Sequence, residues 1–229
     1  MHRIARIAIA ALASVGMLAS VAACGSGQST SEKNGTIEVA ASVNQWGTVA
    51  KALGGDNVNV TSIINSTNVD AHDYEPTTSD IAKLQKAQVI IVNGAGYDTW
   101  AVKATQTANA TIVNAAEIGG VNDGENPHVW FSADVRKAVA QAITEAYEQA
   151  DAAKKNDFDK MNDQWTAEEN NVESKIAEVK QKTDGLAYAA TESVASYLAE
   201  DMGLADATPS GYARATANES EPTPTDIKQ

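Results

Sequence analysis

The sequence predicts an α/β protein of two lobes, each with a parallel β-sheet flanked by helices. One long spine helix joins them, and the second lobe is expected to be incomplete. Three observations lead there. Short β-branched runs alternate with helical patterns over residues 36–150, and such alternation produces parallel sheets covered on both faces. Val89-Ile-Ile-Val92 is wholly apolar, as a strand buried on both faces requires. Phe158, Met161, Trp165, Val172, Ile176 and Val179 recur at helical spacing, which puts all six on one face of a long helix with a buried stripe.

The elements follow in order. Thr36–Ala41 reads as a strand, Gln45–Leu53 as a helix stopped by Gly54-Gly55, and Val58–Ile64 as a second strand. Thr78–Lys86 is helical, Val89–Val92 is the third strand, and Asn93-Gly94 ends it. A helix from Asp98 to about Thr107 leads to a fourth strand, Thr111–Val113, and Ala133–Ala150 is a strong helix. The spine runs from about 155 to 182, its other positions charged or amide and read as solvated. Leu186–Ala190 is a further strand and Ser193–Met202 a helix stopped by Gly203, while Thr223 or Thr225 reads as the N-cap of a last helix start. The stretch 186–229 is near the ~40-residue size below which a domain does not fold alone; it is therefore expected to be part of a larger lobe.

Composition narrows the function. A formal charge of −13 leaves no general basic surface for phosphate contacts, so no nucleic-acid partner is expected. The single cysteine, Cys24, excludes an internal disulfide and a cysteine-based zinc cluster. Ahead of it, Arg3 and Arg6 precede an Ala-rich apolar run, Ile7–Ala23, which falls short of the ~20 residues that span a bilayer. This is an export signal. Val21-Ala-Ala-Cys24 resembles the lipobox of bacterial lipoproteins, in which the cysteine is acylated and becomes the N-terminus. Residues 1–23 are thus read as a lipoprotein signal peptide and 24–35 as a polar tether, with Cys24 anchoring the protein at the outer face of the cytoplasmic membrane. Cleavage removes two arginines and no acid, so the mature chain is more acidic still.

Beyond Cys24 the chain has two histidines, both in loops that follow strands: His72 in Val69-Asp-Ala-His-Asp-Tyr-Glu-Pro76 and His128 in Glu125-Asn-Pro-His-Val-Trp130. In parallel sheets, ligands bind in such loops. On position alone each histidine reads more readily as a surface or hydrogen-bonded residue than as a ligand. Asp73 or Glu75 could cap the next helix or orient the His72 ring. No Gly-x-Ser-x-Gly elbow occurs, and Asn93-Gly-Ala-Gly-Tyr97 lacks a P-loop lysine and reads as a tight turn.

Four segments together resemble one family, the metal-binding lipoproteins that deliver manganese or zinc to bacterial ABC importers. They are Asp70-Ala-His-Asp-Tyr-Glu-Pro-Thr-Thr-Ser-Asp80, Val92–Trp100, Asn126-Pro-His-Val-Trp130 and Ala190-Thr-Glu-Ser-Val-Ala-Ser-Tyr-Leu198. The resemblance covers residues 36–229 and implies that His72, His128 and Glu192 are metal ligands. It also implies that 36–150 is an N-terminal metal-binding lobe, 151–185 the linking helix and 186–229 a partial C-terminal lobe. Ala71 stands where the family has proline, and Ser193 where close relatives often do. The family's fourth ligand is a late carboxylate that lies beyond Gln229, so three ligands are expected to bind more weakly than four.

The resemblance implies an exported monomer that carries a divalent Zn2+ or Mn2+ ion as cargo, hands it to an ABC transporter permease and is not an enzyme. Nitrogen and oxygen ligands suit either metal, and affinity should fall below pH ~6.5 as imidazoles protonate. The alternatives are a surface metalloenzyme using the same histidines and a metal-dependent adhesin. No general base stands recognisably beside either histidine, which disfavours the enzyme.

Overall fold

The computed structural model describes residues 35–228 apart from Thr67, Asp70, His72, Asn218 and Glu219. Four parallel strands, β1 (Ile37–Val43), β2 (Val58–Ile64), β3 (Val89–Val92) and β4 (Thr111–Asn114), form a sheet in the order β2-β1-β3-β4. The order runs one way from β1 to β2 and the other way from β1 to β3. That reversal opens a crevice at the carboxyl ends of β1 and β3, where such sheets hold ligands.

Strand alternation divides the core in two. Ile37, Val39, Ala41 and Val43 of β1, with Val89 and Ile91 of β3, pack under α1 (Asn44–Gly54), α5 (Ala133–Ala150) and the start of α6 (Lys155–Thr183). Ala40, Ile90 and Val92 face the other side, with Leu84 of α2 (Thr78–Lys86) and Ala101 of α3 (Thr99–Thr105). Both faces are therefore covered, which explains why β3 carries no polar residue. α4 (Ala115–Ile118) follows β4 directly. The fully buried Tyr147 of α5 donates its hydroxyl to the Ala50 carbonyl, 3.0 Å away, and its ring meets Phe158 at 5.4 Å. Burial alone pushes that phenol far above the usual tyrosine range, outside any useful titration.

The expected spine helix is present, but its buried stripe is shorter than the periodicity implies. Phe158 is buried and Met161 and Trp165 are half-buried, whereas Val172 and Val179 are 49% and 38% exposed. The first half of α6 lies on α1 and α5; the second half meets the first turns of α5, the short α7 (Ser196–Asp201) and the Met202 carbonyl just after it. The reading of its charged positions as solvated also fails at Glu169, which is buried.

After α6 a two-stranded parallel sheet joins β5 (Ala187–Tyr188) to β6 (Ala205–Asp206), and α8 (Ser210–Ala217) follows. β5 is shorter than the expected Leu186–Ala190, and α7 begins three residues later than expected. The Ser193 carbonyl accepts the Ser196 amide but is also held by a side chain of the first lobe, so residues 191–195 stay outside the helix. Near the end, Thr223 and Asp226 exchange capping hydrogen bonds around a short 3₁₀ turn, Asp226–Lys228. Among the described residues no helix is long and apolar enough to cross a membrane.

Candidate metal centre

Asn93 stands at the carboxyl end of β3 and is fully buried. Its side-chain oxygen accepts the Trp46 indole N–H at 2.9 Å, and its amide nitrogen donates to the Pro127 carbonyl at 2.9 Å. One residue of the sheet crevice thus fixes α1 on one side and the His128 loop on the other. The turn after it is the tight turn that the glycines suggested: Gly94 and Gly96 have positive φ, as does Ala95, and Tyr97 N–H closes onto the Gly94 carbonyl. Asp98 accepts the Asn93 and Gly94 amides at 2.7 and 2.9 Å. Burial raises its carboxyl above the usual range, and these donors oppose that shift.

His128 begins a 3₁₀ turn, Val129–Phe131, and is half-buried. The ring is walled by Tyr97 and Trp130 in edge-on contacts, with centroids 5.7 and 5.3 Å away. Its Nδ1 lies 2.7 Å from Asn126 Oδ1, which also accepts the His128 backbone N–H at 3.1 Å. An amide oxygen has no proton to give, so Nδ1 carries the hydrogen and the ring lone pair sits on Nε2. That tautomer is the one in which a neutral histidine ligates through Nε2 while its other nitrogen is held by the protein.

α2 is capped by Thr77, not by Asp73 or Glu75. Thr77 caps α2 in a reciprocal box with Asp80, whose carboxylate also accepts the Tyr74 hydroxyl at 2.8 Å and Lys83 Nζ at 3.1 Å. The Thr77 donors, more than any other group, hold this carboxyl well below the usual aspartate range. The helix cap was legible as a position; which residue fills it depended on Thr77 lying three before an acid.

Residues 39–229 match the model of the family described as the zinc-uptake complex component A, periplasmic, or ZnuA. The chain belongs to this family. Among its relatives, the high-affinity zinc uptake system protein ZnuA of Bacillus subtilis is 24% identical over 208 residues, 80% of this chain and 65% of the relative. The manganese ABC transporter substrate-binding lipoprotein PsaA of Streptococcus anginosus is 24% identical over 227 residues, 90% of this chain and 71% of the relative. A crystal structure of ZnuA matches with a TM-score of 0.72 at 19% identity, covering 85% of this chain and 76% of that one. The last likeness shows the fold. The chain spans about two thirds of the length of the first of these relatives.

Of the residues expected to ligate metal in this ZnuA-family chain, His128 is at the crevice with its ring fixed as described. Glu192 is exposed in the bend before α7, next to Ser193, whose carbonyl accepts Asn126 Nδ2 at 2.9 Å. His72 lies outside the described residues, as does Cys24. Among the described residues, which leave out His72, no three His, Cys, Asp or Glu side chains are grouped closely enough to hold a metal. Sequence reasoning missed Asn93, Asn126 and Tyr197. Asn126 stands two before His128 inside the very motif that singled out the histidine; Tyr197 carried no local signal, because its partner is 71 residues away.

Proposed function

We propose that this chain captures a divalent transition metal, zinc or manganese, outside the cytoplasm and delivers it to the permease of an ABC importer, without chemical turnover. His72, His128 and Glu192 are the proposed protein ligands. Cys24 is the proposed lipid anchor behind a cleaved signal, and the working form is a monomer at the outer face of the membrane. The observation that supports this most directly is the His128 ring, whose Nδ1–H on Asn126 leaves the lone pair on Nε2 at the carboxyl edge of the sheet. Membership of the zinc-uptake family and the names of the zinc and manganese relatives support the choice of cargo.

The chemistry is consistent. Two neutral imidazoles and a carboxylate leave one positive charge on a divalent ion, which makes the ion releasable and open to a further oxygen ligand. Acyl chains on one cysteine would keep the protein beside its permease.

Calorimetric titration of the metal-free protein with Zn2+ and Mn2+ tests the reading. Saturable binding of one ion is expected, lost in H128A and H72A and weakened at least about tenfold in E192Q. Unchanged binding in H128A overturns the ligand assignment, and a hydrolytic activity that vanishes with it would make the chain an enzyme. Mass spectrometry of the exported protein tests Cys24, where an unacylated residue refutes the anchor.

A further inference from the structure

The side-chain amide of Asn126 faces two parts of the molecule at once. Its oxygen receives the His128 backbone N–H and Nδ1–H, and its nitrogen donates to the carbonyl of Ser193, which is 67 residues away and adjacent to Glu192. The partners fix which end is which. A flipped amide would set N–H against N–H at His128 and carbonyl against carbonyl at Ser193. The Asn126 backbone carbonyl takes a third contact, the Tyr197 hydroxyl at 2.8 Å. Burial, with Glu125 and Glu200 nearby, raises that phenol, so the hydroxyl keeps the proton it donates. From below, Asn93 holds the neighbouring Pro127 carbonyl to the sheet crevice.

We infer that Asn126 is a positioning residue that couples the two halves of the proposed site, holding the His128 ring in its Nδ1–H tautomer with one end of its amide and docking the 191–195 loop, which carries Glu192, with the other. The inference rests on the metal-binding reading for its purpose, but the coupling itself is a property of the metal-free protein. An asparagine fits this role for a chemical reason. Its carbonyl oxygen accepts two N–H groups while a separate NH2 donates in another direction; aspartate keeps the acceptor and loses the donor, and alanine loses both. Outer contacts that orient a ligating histidine are worth 10- to 100-fold in metal affinity in other proteins.

The test uses the full chain, labelled with 15N-histidine and studied without metal at pH 8, well above the ordinary imidazole pKa of ~6.5. Long-range 15N–1H spectra report the tautomer of each ring, and hydrogen exchange reports the 191–195 amides. Wild type is expected to show His128 protonated at Nδ1 and the loop protected. N126A should populate the Nε2–H tautomer and expose the loop, and N126D should keep the tautomer while exposing the loop. Y197F should loosen the loop with the tautomer unchanged. Zinc titration then reads the consequence, an affinity about tenfold or more weaker in N126A.

A wild-type tautomer together with a protected loop in N126A overturns the coupling, as does a protected loop in N126D, which serves alone should N126A not fold. Wild-type zinc affinity in a folded N126A also overturns it. If the wild-type chain binds neither zinc nor manganese, the metal reading fails while the tautomer and exchange results still decide the coupling.

Discussion

Arg136 of α5 and Glu169 of α6 form an ion pair in which both Nε and Nη2 of the guanidinium reach the same carboxylate oxygen, Oε1. The Arg136 and Glu169 side chains are 15% and 8% exposed. The third guanidinium nitrogen, Nη1, donates to the Trp130 carbonyl at 3.1 Å, so the pair that pins the long helix to the first lobe also pins the turn that begins at His128.

Removing one partner of such a pair leaves a charge without compensation. E169A is expected to cost about 3 kcal/mol of unfolding free energy, and R136A a similar amount. The double change R136M/E169L should recover much of the loss, since apolar groups of similar volume often replace a buried ion pair at little cost. Urea unfolding measures all three, and an E169A protein within about 0.5 kcal/mol of wild type would contradict the assignment.

Asp80 gives the fold an acid-sensitive loop. Its carboxyl is held low by the Thr77 donors and the Tyr74 and Lys83 contacts. A group with a depressed folded-state pKa contributes stability that is present above the unfolded value of ~3.9 and is lost as pH falls through and below it. The melting temperature of wild type should therefore drop steeply from about pH 5 downwards. D80N should start lower and show a shallower drop across the same range; parallel curves for the two proteins would refute the role.

The turn after β3 allows no side chain at its first glycine. Gly94 has φ of +79°, and a Cβ there would lie 2.3 Å from Asn114 Oδ1 and 3.0 Å from the Ala116 Cβ. Gly96 has a similar φ of +81° with open space around it. G96A should cost only the left-handed strain of about 1–2 kcal/mol, and G94A clearly more, because Asn114 also caps α4 through the Glu117 amide. Thermal denaturation of both variants checks the order, and equal losses would show that Asn114 moves aside freely.

The parts of this protein that repeat at short range were determined by sequence. β2, α2, β3 and α5 occupy the residues that periodicity and stop signals assign to them, because a strand buried on both faces and a helix with one apolar stripe leave patterns of two and 3.6 residues. The loop position of His128, beyond β4, was legible in the same local way, whereas His72 lies outside the described residues. Tertiary structure decided what depends on partners far along the chain. Glu169 is buried because Arg136 comes to meet it, and the apolar stripe of α6 is covered at Phe158 but exposed at Val172 and Val179. The start of α7 is delayed by a carbonyl held from the first lobe, and the His128 tautomer is set by an asparagine whose other end holds that same carbonyl. Hydrogen bonds across 67 or 71 residues leave no periodic trace in sequence, since only the folded chain brings their donors and acceptors within 3 Å.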